Sequence, residues 1–415
     1  MTPAARHQAA IEVLEAWAVG TQGLDRVLAA WGRAHRFAGS GDRYAIADIA
    51  YDVLRRARAL QWLGGGGDPG SALERFRPRV AVLARAVSAG WAPEAIAGAG
   101  PHAPDALSPA EADALAGLST EGAAARLADA PAGLRYGLPD WVAEALADVS
   151  APALAVLGER APVDLRVNRL KTTPTAAAEA LAAEGVATEP GPLAPDCLRV
   201  REGARRIAGS AAYAEGLVEL QDAASQAVAA FADARAGETV LDYCAGGGGK
   251  TLALAAAMEG PAAGRGRLLA HDAAPRRMAD LAPRAARAGA RVETVASDAL
   301  DRLAGACDLV LTDVPCSGSG AWRRNPDARW RFAPADLARL NAEQDAILDH
   351  AATLVKPGGR LVYATCSILP AENVARADAF LARTPAFRRG EGSSFSTLPD
   401  PALGDGFFAV SLLRH

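Results

Sequence analysis

From Gly237 onward the chain repeats one order, a hydrophobic strand and then a helix, and this constrains the fold more than any other feature. "ETVLDYC", "GRLLAHD", "RVETVASDA", "CDLVLTDVP" and "RLVYATCS" read as strands. "KTLALAAAM", "APRRMADLAPRAARAG" and a stretch from roughly 335 to 355 read as helices between them. Alternation of this kind predicts a parallel sheet covered on both faces, because a parallel pair needs a long crossover connection. Ligands of such sheets bind beyond the carboxyl ends of the strands. The chemically suggestive residues collect there: the turn "DYCAGGGGKT", then Asp272, Asp298, Asp313 with Cys316, and finally Cys366.

The 415 residues exceed one ordinary core and predict a multidomain chain. Residues 1–150 read as an all-α domain, with apolar side chains three and four apart in "AAIEVLEAWAVG" and "YAIADIAYDVLRRARAL". Within it "GSGDR" breaks the pattern and offers Asp42 as an N-cap, and "GGGGDPG" is a second breaker. Residues 160–220 read as a small α+β domain: the strand "VDLRVNRLKTT", a helix from Pro174, then short strands "CLRV" and "GLVELQ". Residues 221–415 form the α/β domain.

Composition removes several function classes. No run is long and apolar enough to span a membrane, and "MTPAARHQAAIEVLEAW" lacks the charged-then-apolar form of a leader, so a cytoplasmic location is expected. The five cysteines include no CxxC pair and no neighbouring histidines, so no metal site is expected. A net charge of −4 is no polycation, so nucleic-acid binding would need a local basic surface. Only Lys171, Lys250 and Lys356 are lysine; the other basic residues are arginine, so a lysine inside a motif answers a specific demand.

A glycine-rich turn between strand and helix lets a ligand approach the backbone and meet the helix N-terminus. It is not a P-loop, because Cys244 stands where the first glycine of GxxxxGK[ST] belongs. A tight turn with no ligand is the plain alternative. Asp272 is placed to accept from the ribose hydroxyls of a nucleoside, and Asp298 to meet an adenine amino group. Each aspartate alone also suits a cap or turn.

"DYCAGGGGKT", "TDVPCSGSGAWRRNPDARW" and "LVYATCSILPAENV" resemble the motifs of the RsmB-type (Sun-family) RNA cytosine-5 methyltransferases, over roughly Val163 to the C-terminal "GDGFFAVSLLRH". The helical half, through "DRYAIADIAYDVLRR", resembles the NusB-like RNA-binding domain of that family, more loosely after residue 65. The resemblance implies a C-terminal Rossmann-like methyltransferase sheet using S-adenosylmethionine. Cys244, Ala245, Gly246, Gly247, Gly248, Gly249 and Lys250 would cradle the cofactor. Asp272 would hold its ribose, Asp298 its adenine, Arg277 would join the same site, and Asp313 would lie between cofactor and base. The family has Pro-Gly-Gly before the lysine where this chain has Gly247–Gly249, which should loosen the turn without removing its backbone donors.

Cytosine C5 is a poor nucleophile. A thiolate adding at C6 makes C5 enamine-like, which allows methyl transfer, loss of the C5 proton and elimination of the thiol. Such chemistry needs a thiolate and a donor at the N3/O2 edge, for which Asp313 is the candidate, while Lys250 adds positive charge beside the thiolate. Strand position does not decide which thiol attacks. The resemblance implies that Cys366 is the nucleophile and that Cys316 assists product release. Cys197 and Cys307 read as small buried hydrophobes, and Cys244 as a backbone contributor. In DNA cytosine-5 methyltransferases the nucleophile follows a proline and an ENV glutamate meets the base. Here ENV at Glu372–Val374 follows Cys366 and reads as a helix start.

In "WRRNPDARWR" the arginines Arg323, Arg324, Arg329 and Arg331 alternate with Trp322 and Trp330, predicting phosphate clamps and base stacking, or else a solvated loop with a core tryptophan. The function expected is RNA cytosine-C5 methylation, with 16S ribosomal RNA as partner and no membrane or metal. A catalytically inactive RNA-binding protein, a tRNA-directed enzyme and a small-molecule methyltransferase are the alternatives.

Overall fold

The computed structural model describes residues 1–259 and 266–415. They form two compact units, one of Met1–Arg160 with Trp322–Ala333, the other of Ala161–Ala321 with Pro334–His415.

The first unit is helical. Its longer helices, Pro3–Val19, Leu24–Ala34, Ser40–Arg55 and Pro78–Ser88, enclose a core that includes Leu14, Ile46, Leu54, Leu60 and Leu83. Thr2 caps the first helix by accepting from the Ala5 N–H at 3.1 Å. Asp42 is not the cap expected of it. The third helix starts earlier, at Ser40, and Asp42 instead accepts from Arg6 Nε at 2.9 Å and from the N-terminal ammonium. Its carboxyl is held below the usual range, first by the Arg6 hydrogen bond and then by the ammonium.

The arginine-rich stretch also departs from expectation. Trp322–Ala333 is a strap inside the helical unit, and Trp322, Arg323, Arg329 and Trp330 are buried. Arg329 donates through Nη1 to the carbonyls of Gly137 (2.7 Å) and Arg55 (3.2 Å), and through Nη2 to that of Leu157 (2.9 Å). Trp330 Nε1 donates to the Leu54 carbonyl at 2.8 Å, and Arg55 Nε donates to the Arg323 carbonyl at 2.7 Å. Arg331 is exposed but turned onto the last carbonyls of the first helix, at Trp17 and Gly20. The carbonyls at a helix end have no intrahelical donor, and a cation there also meets the negative end of the helix dipole. Two of the four guanidinium groups read as phosphate clamps, those of Arg329 and Arg331, are therefore engaged by carbonyls at helix ends.

The second unit contains two sheets. Strands β1 (Val163–Val167), β2 (Ala187–Pro190), β3 (Cys197–Glu202) and β4 (Val218–Leu220) form an antiparallel sheet in the order β2-β3-β1-β4. It packs on the helix Pro174–Ala183 through Leu165, Val167, Leu181 and Val218.

Strands β5 (Thr239–Asp242), β6 (Arg267–Ala270), β7 (Glu293–Thr294), β8 (Cys307–Asp313), β9 (Val355–Thr365), β10 (Phe387–Thr397) and β11 (Phe407–Arg414) form the larger sheet, in the order β10-β11-β9-β8-β5-β6-β7. β5 to β9 are mutually parallel, and β11 and β10 add antiparallel strands at one edge. The expected third strand shrinks to two exposed residues, because β7 is an edge paired only with β6. Alternation on the central strands splits the core. Val310, Leu361 and Tyr363 pack on one face, and Leu309, Leu311 and Val362 on the other. From β5 the chain runs outward to β6 and β7, then returns to place β8 on the other side of β5. That reversal opens a crevice at the carboxyl ends of β5 and β8.

Candidate active site

The crevice holds a cavity of about 560 Å³, lined by Asp242, Cys244 to Gly247, Gly249, Lys250, Arg277, Asp313, Pro315, Cys316 and Cys366 among others. A second, of about 390 Å³, shares Cys244, Arg277 and Pro315 and adds Asp272 and Tyr243. Asp298 lies exposed in the first turn of the 3-10 helix Ser297–Leu303 after β7 and lines neither cavity.

The glycine turn is held from outside by arginines that no motif singles out. Gly246 (φ +50°) and Gly248 (φ +83°) are left-handed, and a Cβ at Gly248 would collide with Leu281. Arg284 donates to the Gly247 carbonyl and Arg166, from β1, to the Gly249 carbonyl. Arg166 is buried, and desolvation lowers its pKa to about 10. Two carbonyls of the turn are thus engaged by side-chain donors. Asp272, at the end of β6, is buried and accepts from the Gly246 N–H (3.0 Å) and the Ala274 N–H (2.9 Å), with Arg277 Nη1 at 3.2 Å.

Asp242 was missed as a separate residue, although it lies inside the quoted glycine motif. It accepts from Thr251 Oγ1 at 2.7 Å through one oxygen, and its buried Oδ1 has no hydrogen-bond partner among the described residues. Burial, opposed by Thr251 and reinforced by Asp313, raises its carboxyl to about 7. A buried acceptor facing a cavity fits a cationic ligand group. With the open glycine turn and the Asp272 carboxylate, the residues present fit a nucleoside bearing an amino acid.

Lys250 opens the helix Gly249–Ala257, and its Nζ donates to Asp313 Oδ2 at 2.8 Å, 5.3 Å from the centre of the Phe407 ring. Burial alone would lower its pKa, but the charge and hydrogen bond of Asp313, then Cys366 and Asp242, outweigh burial and raise it. Cys316 and Cys366 follow β8 and β9, and their sulfurs stand 3.4 Å apart. The hydrogen bond to Cys366, then burial, hold the Cys316 thiol well above its ordinary value. Cys316 therefore keeps its proton and can donate it toward the Cys366 sulfur. The other thiols differ. Cys197 and Cys307 are buried in the cores of the two sheets, where burial raises them to about 12 and about 11. Burial and the aspartates around it also push the Cys244 thiol up.

Glu372 lies at a helix start, as expected: it closes the 3-10 turn Pro370–Glu372 directly before the helix Val374–Arg383. Its full burial had no signal in the sequence. Among the described residues no group of three or more metal-ligating side chains occurs, and no helix is long and apolar enough to cross a membrane.

Residues 229–413 match the family described as 16S rRNA methyltransferase RsmB/F, and residues 139–205 match the RsmF/B-like ferredoxin-like domain. Ribosomal RNA small subunit methyltransferase B of Salmonella arizonae is 36% identical over 266 residues, which cover 62% of this chain and 60% of that protein. The probable ribosomal RNA small subunit methyltransferase B of Synechocystis is 34% identical over 306 residues, 68% of each chain. The solved structure of PH0851 superposes with a TM-score of 0.72 at 23% identity, covering 100% of this chain and 99% of that one. A methyltransferase homolog from Pyrococcus horikoshii gives 0.58 at 23%, covering 68% and 98%. At such identity the two structures speak to the fold. The sequence matches, over a sheet whose strand ends carry the glycine turn and the thiol pair, place this chain in the RsmB/F family of 16S rRNA methyltransferases.

Proposed function

We propose that the protein is an S-adenosylmethionine-dependent methyltransferase acting on cytosine C5 of RNA, with 16S ribosomal RNA as substrate. The observation that carries the reading is the pair of thiols 3.4 Å apart beside the Lys250–Asp313 ion pair in one cavity. Bound S-adenosylmethionine would supply an electrophilic methyl group. The turn Cys244–Lys250 would hold it with Asp272 and Arg277, Asp298 would serve its adenine, and the unpartnered oxygen of Asp242 suits its cationic end.

The chain's own residues account for the rest. Cys366 attacks C6 of the base as the thiolate, and the electrons of the 5,6 double bond move to C5. Buried Lys250 and partly exposed Asp313 form a charge-compensated pair that would meet the base edge and stabilise negative charge developing on the ring. After methyl transfer a base removes the C5 proton, and the C6–S bond breaks to restore the double bond and the Cys366 thiolate. Cys316 retains its proton against the Cys366 sulfur, so it is placed to protonate that sulfur as it leaves. The helical unit is proposed as a NusB-like RNA-binding module.

The test uses denaturing electrophoresis of the protein incubated with cellular RNA and cofactor. Cys316→Ala should methylate and then stall as a covalent RNA adduct, and Cys366→Ala should form none and lose methylation. The adduct should vanish in the double variant. An adduct with Cys366→Ala and none with Cys316→Ala would reverse the roles, and no adduct or methylation in any form would refute the enzyme reading.

A further inference from the structure

Both thiols are followed by serine, and both serines turn away from the cavity onto one buried carboxylate. Glu372 Oε1 accepts from the Ser317 N–H at 2.8 Å and from Gln344 Nε2 at 3.1 Å. Its Oε2 accepts from the Ser317 hydroxyl and, at 2.6 Å, from the Ser367 hydroxyl. Gln344 Nε2 also donates to the Pro315 carbonyl at 2.9 Å, so both residues flanking Cys316 are tied to this centre. Asn373, the next residue, holds the other loop. Its Nδ2 donates to the Ser367 carbonyl at 2.9 Å, and its Oδ1 accepts from Thr365 Oγ1 at 2.6 Å. Glu372 is 0% exposed, so it cannot touch a substrate. A buried carboxylate met by four neutral donors is costly to keep unless those donors are fixed, and fixing them fixes the residues they belong to.

We propose that Glu372 is a positioning residue that sets the separation of Cys316 and Cys366 by clamping Ser317 and Ser367, so that the two sulfurs stay within hydrogen-bond contact and only Cys366 is presented to attack. The catalytic part of this statement rests on the thiol roles proposed above; the clamp itself does not. Removing the carboxylate takes the acceptor from the Ser317 N–H and one Gln344 N–H and leaves the Ser317 and Ser367 hydroxyls to each other (3.2 Å) and to Ser319 (2.9 Å), so the loops should separate to rehydrate the unmet donors. Glutamine can substitute, because serine hydroxyls accept as readily as they donate and the remaining amide oxygen still serves Ser317 N–H and Gln344.

Residue-resolved alkylation of the full chain by iodoacetamide, followed by mass spectrometry between pH 6 and 10, reads the clamp without any RNA. In the native protein Cys366 should react ahead of Cys316 by at least about tenfold, the factor that one unit of thiol pKa represents. Glu372→Ala should bring the two rates together, and Glu372→Gln should retain the native order. If Glu372→Ala does not fold, Ser317→Ala with Ser367→Ala removes the hydroxyl donors while leaving the carboxylate two of its hydrogen bonds, and it should also bring the rates together. Equal rates in the native protein, or an unchanged order in a folded Glu372→Ala or in the double serine variant, would overturn the proposal. Methylation supplies a separate arm, in which kcat should fall at least tenfold in Glu372→Ala with KM for RNA unchanged. Absence of methylation in the native protein would count against the enzyme reading and leave the alkylation result standing.

Discussion

Replacing Arg329 with methionine tests whether the strap is structure or an RNA contact. The guanidinium is fully buried, and among the described residues it forms no ion pair with a carboxylate. Burial, then Arg55, lowers its pKa to about 9. Against an ordinary 12.5 this means that desolvation offsets about 5 kcal/mol of what its hydrogen bonds contribute. Each bond from a charged donor contributes about 1.5–3 kcal/mol, so the intact group lies near break-even. Truncation does not. Methionine fills the stem but leaves the carbonyls of Arg55, Gly137 and Leu157 without the donor they now have. The expected loss is about 3–5 kcal/mol, the usual result of removing one partner from a buried polar set. Arg329→Lys should fall between, because one ammonium cannot match a planar fork across three acceptors. Amide hydrogen exchange on the full chain is the assay. Protection should fall in the helices Ser40–Arg55 and Ala151–Val156, while the seven-stranded sheet serves as the internal reference. Unchanged protection with weakened RNA binding and a shallower salt dependence would refute this account and return the strap to phosphate recognition.

Two further outcomes follow from the crevice. Asp242 has a folded pKa of about 7 against an ordinary 3.8, so between those values the folded protein holds a proton that the unfolded chain has lost. Stability should therefore fall as pH rises from about 4 to about 7, by at most about 1.4 kcal/mol per pH unit, and urea unfolding of Asp242→Asn should lack that slope. Asp272→Asn should weaken S-adenosylmethionine binding by about 1–3 kcal/mol in calorimetry; an unchanged affinity in the folded variant would remove Asp272 from the site.

What was legible in the sequence is what repeats or has a local cause. The strand–helix alternation and its strand ends were visible because both depend on residues adjacent in the chain. They brought Asp313, Cys316, Cys366 and the glycine turn into one crevice. Asp242 was hidden only because it is the last residue of a strand, where a buried carboxylate reads as part of the turn. Glu372 sits at the helix start expected of it, but its burial and its bonds to Ser317 and Gln344 were not legible, because those partners are distant in sequence.

The strap shows the limit most clearly. An arginine-rich, tryptophan-bearing segment has the composition of a nucleic-acid contact, and composition cannot say whether the guanidinium groups face phosphates or carbonyls. The deciding information lies elsewhere in the chain. The helices Ser40–Arg55, Ala132–Arg135 and Ala151–Val156 end at Arg56, Tyr136 and Leu157, and the second is followed by a left-handed glycine, Gly137 (φ +62°). The last carbonyls of a helix have no intrahelical donor, so something else must satisfy them. Arg329 meets that need at Arg55, Gly137 and Leu157, from a segment more than 170 residues beyond the last of them. A cut near residue 150 or 160 would therefore not release an independent helical domain. It would leave Trp322, Arg323, Arg329 and Trp330 without the helices that bury them, and those helices without their donors. The RNA-binding role proposed for the helical unit must accordingly be probed by point substitutions on its exposed face, with the strap intact.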